Sequence, residues 1–355
     1  METDDRIRSL FGVTPRRFLV TGAAGFIGSH LVETLLRLGQ CVVGLDNFVS
    51  GTRSNLSEVL GAFAPGVLCR FRFVEGDIRD ANACADAMHG VDVVLHQAAL
   101  ASVPRSIEDP ESFHSVNVDG FRLLLASAHS AGVERIVFAS SSSVYGDDTS
   151  GKKIEDRIGQ PLSPYAATKR IDEVEAASFE RARGTKLVGL RYFNVFGPRQ
   201  NPAGPYAAVI PRWIENLLHG EQCVVFGDGS ASRDFCFVDN VVQANFLAAC
   251  LPSSAIVHDV FNVACGEKTC LLDLFDAIRS GVAVYQPGAA AAALRFDPPR
   301  PGDIPHSLAS IERAKKTLGY EPSFDLWNGL GRTIAWYMLR TTRTAKPESH
   351  GTTHA

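Results

Sequence analysis

A glycine-punctuated turn, Gly22-Ala23-Ala24-Gly25-Phe26-Ile27-Gly28, stands between the apolar run Phe18-Leu19-Val20 and an apolar-periodic stretch from about Phe26 to Leu38. No other feature constrains this chain as strongly. The run from Arg16 to Thr21 reads as a short buried strand, and Gly39 closes the helix that follows. Glycines at such a turn let the backbone bend tightly and let an anion approach the free N–H groups at the helix start. The spacing is G-x-x-G-x-x-G, one residue wider at the front than the usual dinucleotide fingerprint. Glycine triplets serve many turns; the position between a strand and a helix makes this one informative.

The rhythm continues. Cys41 to Leu45, ending at Asp46, reads as a second strand, and Phe71–Glu75, Val91–His96, Arg135–Ala139 and Lys186–Arg191 as further ones. Helices are expected over Ser115–Ala131 and from the Tyr165 region to about Arg183. This alternation implies an α/β fold, a Rossmann-type doubly wound parallel sheet. Beyond residue 191, Pro198, Pro202, Gly204 and Pro205 break the pattern. We therefore expect residues 16–190, with a return segment at about 236–263, to form the cofactor-binding domain. Residues 191–235 and 264–340 are expected to form a smaller α/β substrate-binding domain, and 344–355 a disordered tail. No internal repeat is visible.

Composition narrows the partners. Net charge is −4 over 355 residues, which gives no general attraction for nucleic acid or an anionic membrane. No apolar run approaches the roughly 18 residues of a membrane span. The opening Met1-Glu2-Thr3-Asp4-Asp5 does not resemble a signal peptide. Eight cysteines are scattered without a Cys-x-x-Cys pair, so no metal site is expected, and reduced cytoplasmic thiols are the plain reading.

The candidate cofactor residues follow from the strand ends. Asp46, eighteen residues after Gly28, can accept both hydroxyls of an adenosine ribose and would repel a 2′-phosphate, favouring NAD over NADP. Asp77-Ile78 could contact the adenine, although ordinary turn chemistry explains the pair almost as well. Gln97-Ala98-Ala99 ends the fourth strand with small residues that suit close approach of a cofactor. Tyr165 and Lys169, four apart, share one helix face. An ammonium beside a phenol favours the phenolate and makes it a usable base near neutral pH. A lone Tyr-x-x-x-Lys is common. Here it follows the glycine turn and the run Ser140-Ser141-Ser142-Ser143-Val144-Tyr145-Gly146, expected at the C-terminal edge of the sheet, where a hydroxyl can meet a reacting oxygen.

Together with Asp46-Asn47-Phe48, Arg191-Tyr192-Phe193-Asn194-Val195-Phe196-Gly197, Ser232-Arg233-Asp234-Phe235 and Arg300-Pro301-Gly302-Asp303, these motifs resemble the extended short-chain dehydrogenase/reductase family. The likeness covers roughly residues 16 to 340. It is to the nucleotide-sugar 4-epimerase branch, UDP-N-acetylglucosamine 4-epimerases above all. The resemblance implies that Tyr165 accepts a proton, that Lys169 tunes it and holds the nicotinamide ribose, and that Ser141, with Ser142 and Ser143 nearby, hydrogen-bonds the sugar 4-oxygen. It implies cofactor contacts by Gly22, Gly25, Phe26, Ile27, Gly28, Asn47 and Tyr192. It also places Asn194 on a diphosphate clamped by Arg233 and Arg300, Asp303 on the uridine ribose, and Ala101, Ser102, Gln200, Ala208, Val209, Val225 and Ser307 about the substrate. Two arginines do suit bidentate recognition of a pyrophosphate.

The reaction so implied is transient oxidation at the 4-position by bound NAD, rotation of the 4-keto sugar and return of the hydride. Dehydratases of the same branch place acidic residues where this chain has Ser142 and Ser143. Simple galactose-type epimerases restrict the N-acetyl group with a tyrosine where this chain has Ser307. Ala101 stands where the N-acetyl group of enzymes often has glycine, which keeps UDP-glucose/UDP-galactose and UDP-uronic acids open as substrates. A catalytically idle NAD-linked binding protein is the alternative of another class, and intact Ser141, Tyr165 and Lys169 argue against it. The resemblance further implies a homodimer and a place in polysaccharide biosynthesis.

Overall fold

The computed structural model describes residues 8, 10–11, 14–203, 207–250, 252, 254, 260–299 and 306–344. Its strands and helices alternate from the start. β1 (Arg17–Thr21) leads through the glycine turn into α1 (Phe26–Arg37), and β2 (Cys41–Asp46) precedes α2 (Arg53–Gly61). β3 (Phe71–Glu75), α3 (Ala81–Ala87), β4 (Val93–His96), α4 (Gly120–Ser130) and β5 (Arg135–Ser141) follow. Next come α5 (Pro164–Arg183), β6 (Lys186–Tyr192), α6 (Val209–His219), α7 (Val238–Cys250) and β7 (Val260–Val263). The later helices are α8 (Leu271–Ala283), α9 (Glu312–Leu318) and α10 (Leu326–Thr344).

The seven strands form one sheet in the order β3-β2-β1-β4-β5-β6-β7, every pair parallel. This is the doubly wound order, reversing between β1 and β4, where dinucleotides bind across the crevice. Central strands are apolar on both faces, as helix-covered parallel strands must be: Phe18, Leu19, Val20, Val93, Val94 and Leu95 are all fully buried. The edge strand β3 is only half covered.

Local chemistry sets the element ends. Ser163 caps α5 by accepting from the Ala166 N–H at 3.1 Å, Pro164 opens it, and Gly184 closes it in the left-handed conformation. The helix expected over Ser115–Ala131 departs from the reading. Its first turn, Ser115–Asp119, is a π-helix before α4 begins. The buried Asn117 amide bonds both backbone groups of Leu100, at 2.9 and 3.1 Å, and Thr168 Oγ1 at 3.0 Å, which holds the wider turn in place. β5 also runs two residues further than expected, through Ser140 and Ser141.

A second apolar cluster joins α6, α8 and α10 around Trp213, Phe275, Ile278 and Tyr337, with a parallel strand pair Cys223–Phe226 and Leu294–Asp297 alongside. Between its parts the chain returns to the sheet. α7 packs in the core around the sheet and β7 adds the edge strand beside β6. The expected tail, 344–355, lies outside the described residues except for Thr344, which ends α10.

Candidate active site

The glycine turn is shaped by what it must avoid. Gly22 lies at φ +68°, and a Cβ there would sit 2.8 Å from the Ala98 nitrogen. A Cβ on Gly28 would stand 1.9 Å from the Gly22 carbonyl oxygen, so the turn admits no side chain at that place. Gly25, the N-cap of α1, offers no capping side chain, which leaves first-turn N–H groups for a ligand. Phe26 and Ile27 point the other way and pack against the second apolar cluster.

Asp46 ends β2 and organises the loop beyond it. One carboxylate oxygen accepts from the Ala24 N–H at 2.9 Å and the other from the Phe48 N–H at 2.7 Å. Burial pushes its pKa up, against the pull of these donors. Asn47 donates to Asp77 at 2.8 Å, and Arg79 forks onto the same carboxylate at 2.9 and 2.7 Å. Those Arg79 bonds, foremost, hold the Asp77 pKa down to about 2. Arg53, beside this loop, lies over the Phe48 ring and pairs with Glu75 at 2.8 Å.

Gly22, Asp46, Asn47, Asp77, Ile78, Ala98 and Ala99 line one cavity of about 420 Å³. Gln97 stands behind its wall. Its amide oxygen accepts from Tyr192 at 3.0 Å and its nitrogen donates to Asn245 at 3.2 Å, while Asn245 donates to Tyr192 at 2.9 Å. Burial drives the Tyr192 pKa upward and keeps that phenol protonated. These residues fit a dinucleotide: a turn with no room for a side chain at Gly22 or Gly28, open N–H groups at α1 and a carboxylate at the strand tip.

Phe113 lines the same cavity and meets the half-buried Tyr165 ring edge-on, with centroids 6.3 Å apart. One turn along α5, Lys169 is buried, and its ammonium lies 3.1 Å from Asp172 Oδ2. Ser141, at the C-terminal tip of β5, accepts from both the Ser143 hydroxyl (2.9 Å) and the Ser143 N–H (3.1 Å). Ser142 opens the 3₁₀ turn Ser142–Tyr145 that carries this group.

A second cavity of about 590 Å³ is lined by Asn194, Val209, Val225 and Arg233, with Trp213, Phe226 and Asp228. Asn194 donates to the Asp234 carbonyl at 3.2 Å. Ser307 is half-buried, and its N–H donates at 3.0 Å to the carbonyl of Ser232, the residue before Arg233. Other expected residues stand outside both cavities. Ala101 is exposed, Ser102 caps the short helix Val103–Glu108, and Ala208 is an exposed N-cap of α6. Gln200 donates to the Val195 carbonyl at 3.1 Å and leaves its Oε1 buried without a partner. Arg300 and Asp303 lie outside the described residues.

Sequence reasoning missed the polar frame that fixes α5. Arg191 forks onto Glu173 at 2.8 Å on each arm, and Ser140 donates to Glu173 at 2.6 Å. Arg191 also reaches Tyr145 OH at 3.1 Å, and that hydroxyl donates to Asn262 of β7 at 2.6 Å. Position was the available signal: Glu173 continues the Tyr165, Lys169 series at four-residue spacing. Asp234 was missed likewise. Buried, it accepts backbone N–H bonds from Cys265 and Gly266 at 3.0 Å and from Ala309 at 3.2 Å, and burial pushes its pKa up to about 6.

Sheet order, the glycine turn and the cavity at the strand tips define a dinucleotide-binding α/β protein. Residues 18–264 match the model of the NAD dependent epimerase/dehydratase family, and the chain belongs to that family. It is 39% identical over 323 residues to a UDP-glucose 4-epimerase of Mycolicibacterium smegmatis, covering 90% of this chain and 98% of that one. A UDP-N-acetylglucosamine 4-epimerase from Methanobrevibacter ruminantium, solved with UDP-N-acetylmuramic acid, superposes with TM-score 0.82 at 34% identity, over 92% of this chain and 100% of that one. A UDP-glucuronic acid 4-epimerase from Bacillus cereus, solved with UDP-glucuronic acid and NAD, gives 0.81 at 30% identity, over 91% and 99%.

Proposed function

We propose that this NAD-dependent UDP-sugar 4-epimerase interconverts UDP-N-acetylglucosamine and UDP-N-acetylgalactosamine. The three named relatives act on three different sugars, so likeness leaves the sugar open. The observation that carries the choice is the small Ser307, whose N–H bonds the carbonyl of Ser232, the residue before the cavity-lining Arg233. A serine there leaves volume for an acetamido group.

NAD, held at the glycine turn and Asp46, would supply the acceptor and later the donor for the hydride of C4. The chain's own residues do the rest. Tyr165, packed edge-on against the cavity-lining Phe113, takes the proton of the sugar 4-hydroxyl and later returns it. Lys169 supplies positive charge one turn away and favours the phenolate. Ser141, already an acceptor for two Ser143 donors, keeps its own hydroxyl proton to offer the 4-oxygen. Arg233 and Asn194 hold the diphosphate while the 4-keto sugar turns over, with Arg300 as the second clamp and Asp303 on the uridine ribose. Ser142 and Ser143 offer no acid for elimination, which favours epimerisation over dehydration.

A UDP-glucose/UDP-galactose epimerase is the second reading, favoured by the additional methyl of Ala101 and by the mycobacterial relative. The protein works, in this proposal, as a cytoplasmic homodimer; its eight free cysteines suit a reducing compartment. Incubation with a panel of UDP-sugars and NMR of the products tests the sugar. Ser307→Tyr should abolish turnover of the N-acetylated pair and spare UDP-glucose and UDP-galactose. Equal loss of both classes would remove position 307 from the argument. Light scattering at micromolar concentration tests the dimer.

A further inference from the structure

Tyr165, Lys169 and Asp172 occupy positions i, i+4 and i+7 of α5, one above another on a single helix face. The Lys169 ammonium and the Asp172 carboxylate meet at 3.1 Å, each side chain 3% exposed. The second Asp172 oxygen is buried and has no hydrogen-bond partner. A lone carboxylate in such a place would be costly, so lysine and aspartate depend on each other. Neighbouring charges are otherwise committed. Glu173 is paired with Arg191 and Arg170, and Glu175 with Arg122 of α4, which also faces Asp119. From β4, His96 is held neutral by burial, foremost, and then by Lys169 itself; its Nδ1 bonds Thr21 Oγ1 at 2.7 Å.

Among the described residues, Asp172 is therefore the negative group in direct contact with the ammonium that the proposed reading sets beside Tyr165. A carboxylate there draws the ammonium down the helix, away from residue 165, and offsets part of its charge. Both effects oppose ionisation of the phenol.

We propose that Asp172 is a positioning residue that anchors Lys169 and offsets part of its charge, so that less of the ammonium's field reaches Tyr165 than an unpaired lysine would supply. The inference rests on the reading of Tyr165 and Lys169 as the proton-transfer pair, but its test does not require turnover. Phenolate absorbance near 295 nm is followed in the protein as purified, and the same titration of Tyr165→Phe is subtracted to isolate residue 165. Asp172→Asn, which preserves shape and removes the charge, should lower the midpoint that this difference titration reads. The acid limb of kcat/KM should move by the same amount. In a Lys169→Met background the aspartate substitution should produce no further shift.

An unmoved midpoint in folded Asp172→Asn overturns the proposal. So does an equal shift with and without Lys169, since the carboxylate would then act on the phenol directly. If Asp172→Asn fails to fold, Asp172→Ser replaces it; intolerance of both neutral residues assigns Asp172 a structural role and overturns the proposal too. Failure of the catalytic reading looks different: Tyr165→Phe would keep turning over while the titration still responded to Asp172.

Discussion

Tyr165 carries one oxygen on which the proposed chemistry depends. Its half-buried ring packs edge-on against Phe113. Tyr165→Phe keeps that contact, so the variant should fold normally and lose roughly two to four orders of magnitude in turnover. A steady-state assay beside a thermal melt separates the two effects. Near-normal turnover would refute the assignment.

Among elements, the turn into α1 tolerates little change. Gly28→Ala would drive its methyl into the Gly22 carbonyl, at 1.9 Å, and must open the loop that faces the cofactor cavity. We expect NAD content after purification to fall at least tenfold, with a lower Tm. Gly61→Ala is the control. Its Cβ meets nothing within 4 Å at the end of α2, so it should leave cofactor content unchanged and stabilise slightly, by up to about 1 kcal/mol. Much of this level was legible in the sequence. Uninterrupted apolar runs mark buried parallel strands, and β3 and α5 lie within a residue or so of their expected bounds because Glu75, Ser163 and Gly184 are strong local signals. What escaped depends on partners distant in sequence. Glu173 with Arg191, Asp234 with three backbone N–H groups, and Asn117 with Leu100 need a folded sheet before their bonds exist. A serine run reads as loop until Glu173 is seen to hold Ser140 in the strand.

At the scale of the whole molecule, two buried histidines decide the response to acid. His30, bonded through Nε2 to the Pro198 carbonyl at 2.9 Å, and His96 are each pushed to about 3, chiefly by burial. Their pKa values are lower folded than unfolded, so below about 6.5 the unfolded chain binds more protons. Their stabilisation is whole above that pH and drains away as pH falls towards about 3. Fully titrated, each costs on the order of 4 kcal/mol, comparable with a domain's total stability. Asp234 works in the opposite sense. Its pKa is raised to about 6, so its favourable contribution is present below the ordinary carboxylate range and lost as pH rises through that value. It offsets only part of the histidine loss. Urea midpoints should therefore drop between pH 7 and pH 5, and His30→Gln, which can still donate to Pro198, should flatten that slope. An unchanged slope would assign acid sensitivity to other groups.

The sheet's last strand, β7, arrives only after the chain has visited the second cavity and come back through α7. The part that lines the second cavity and the part that builds the sheet are thus not separable as head and tail of the gene. Exchanging the recognition part between relatives is an interleaved splice, with joints after β6, before α7 and after β7. Tyr145 and Asn262, hydrogen-bonded across that weave, must be transplanted or retained together. A chimera cut once near residue 192 would take its edge strand, and with it the partner of Tyr145, from the other relative, and should be less soluble than the multiply spliced version.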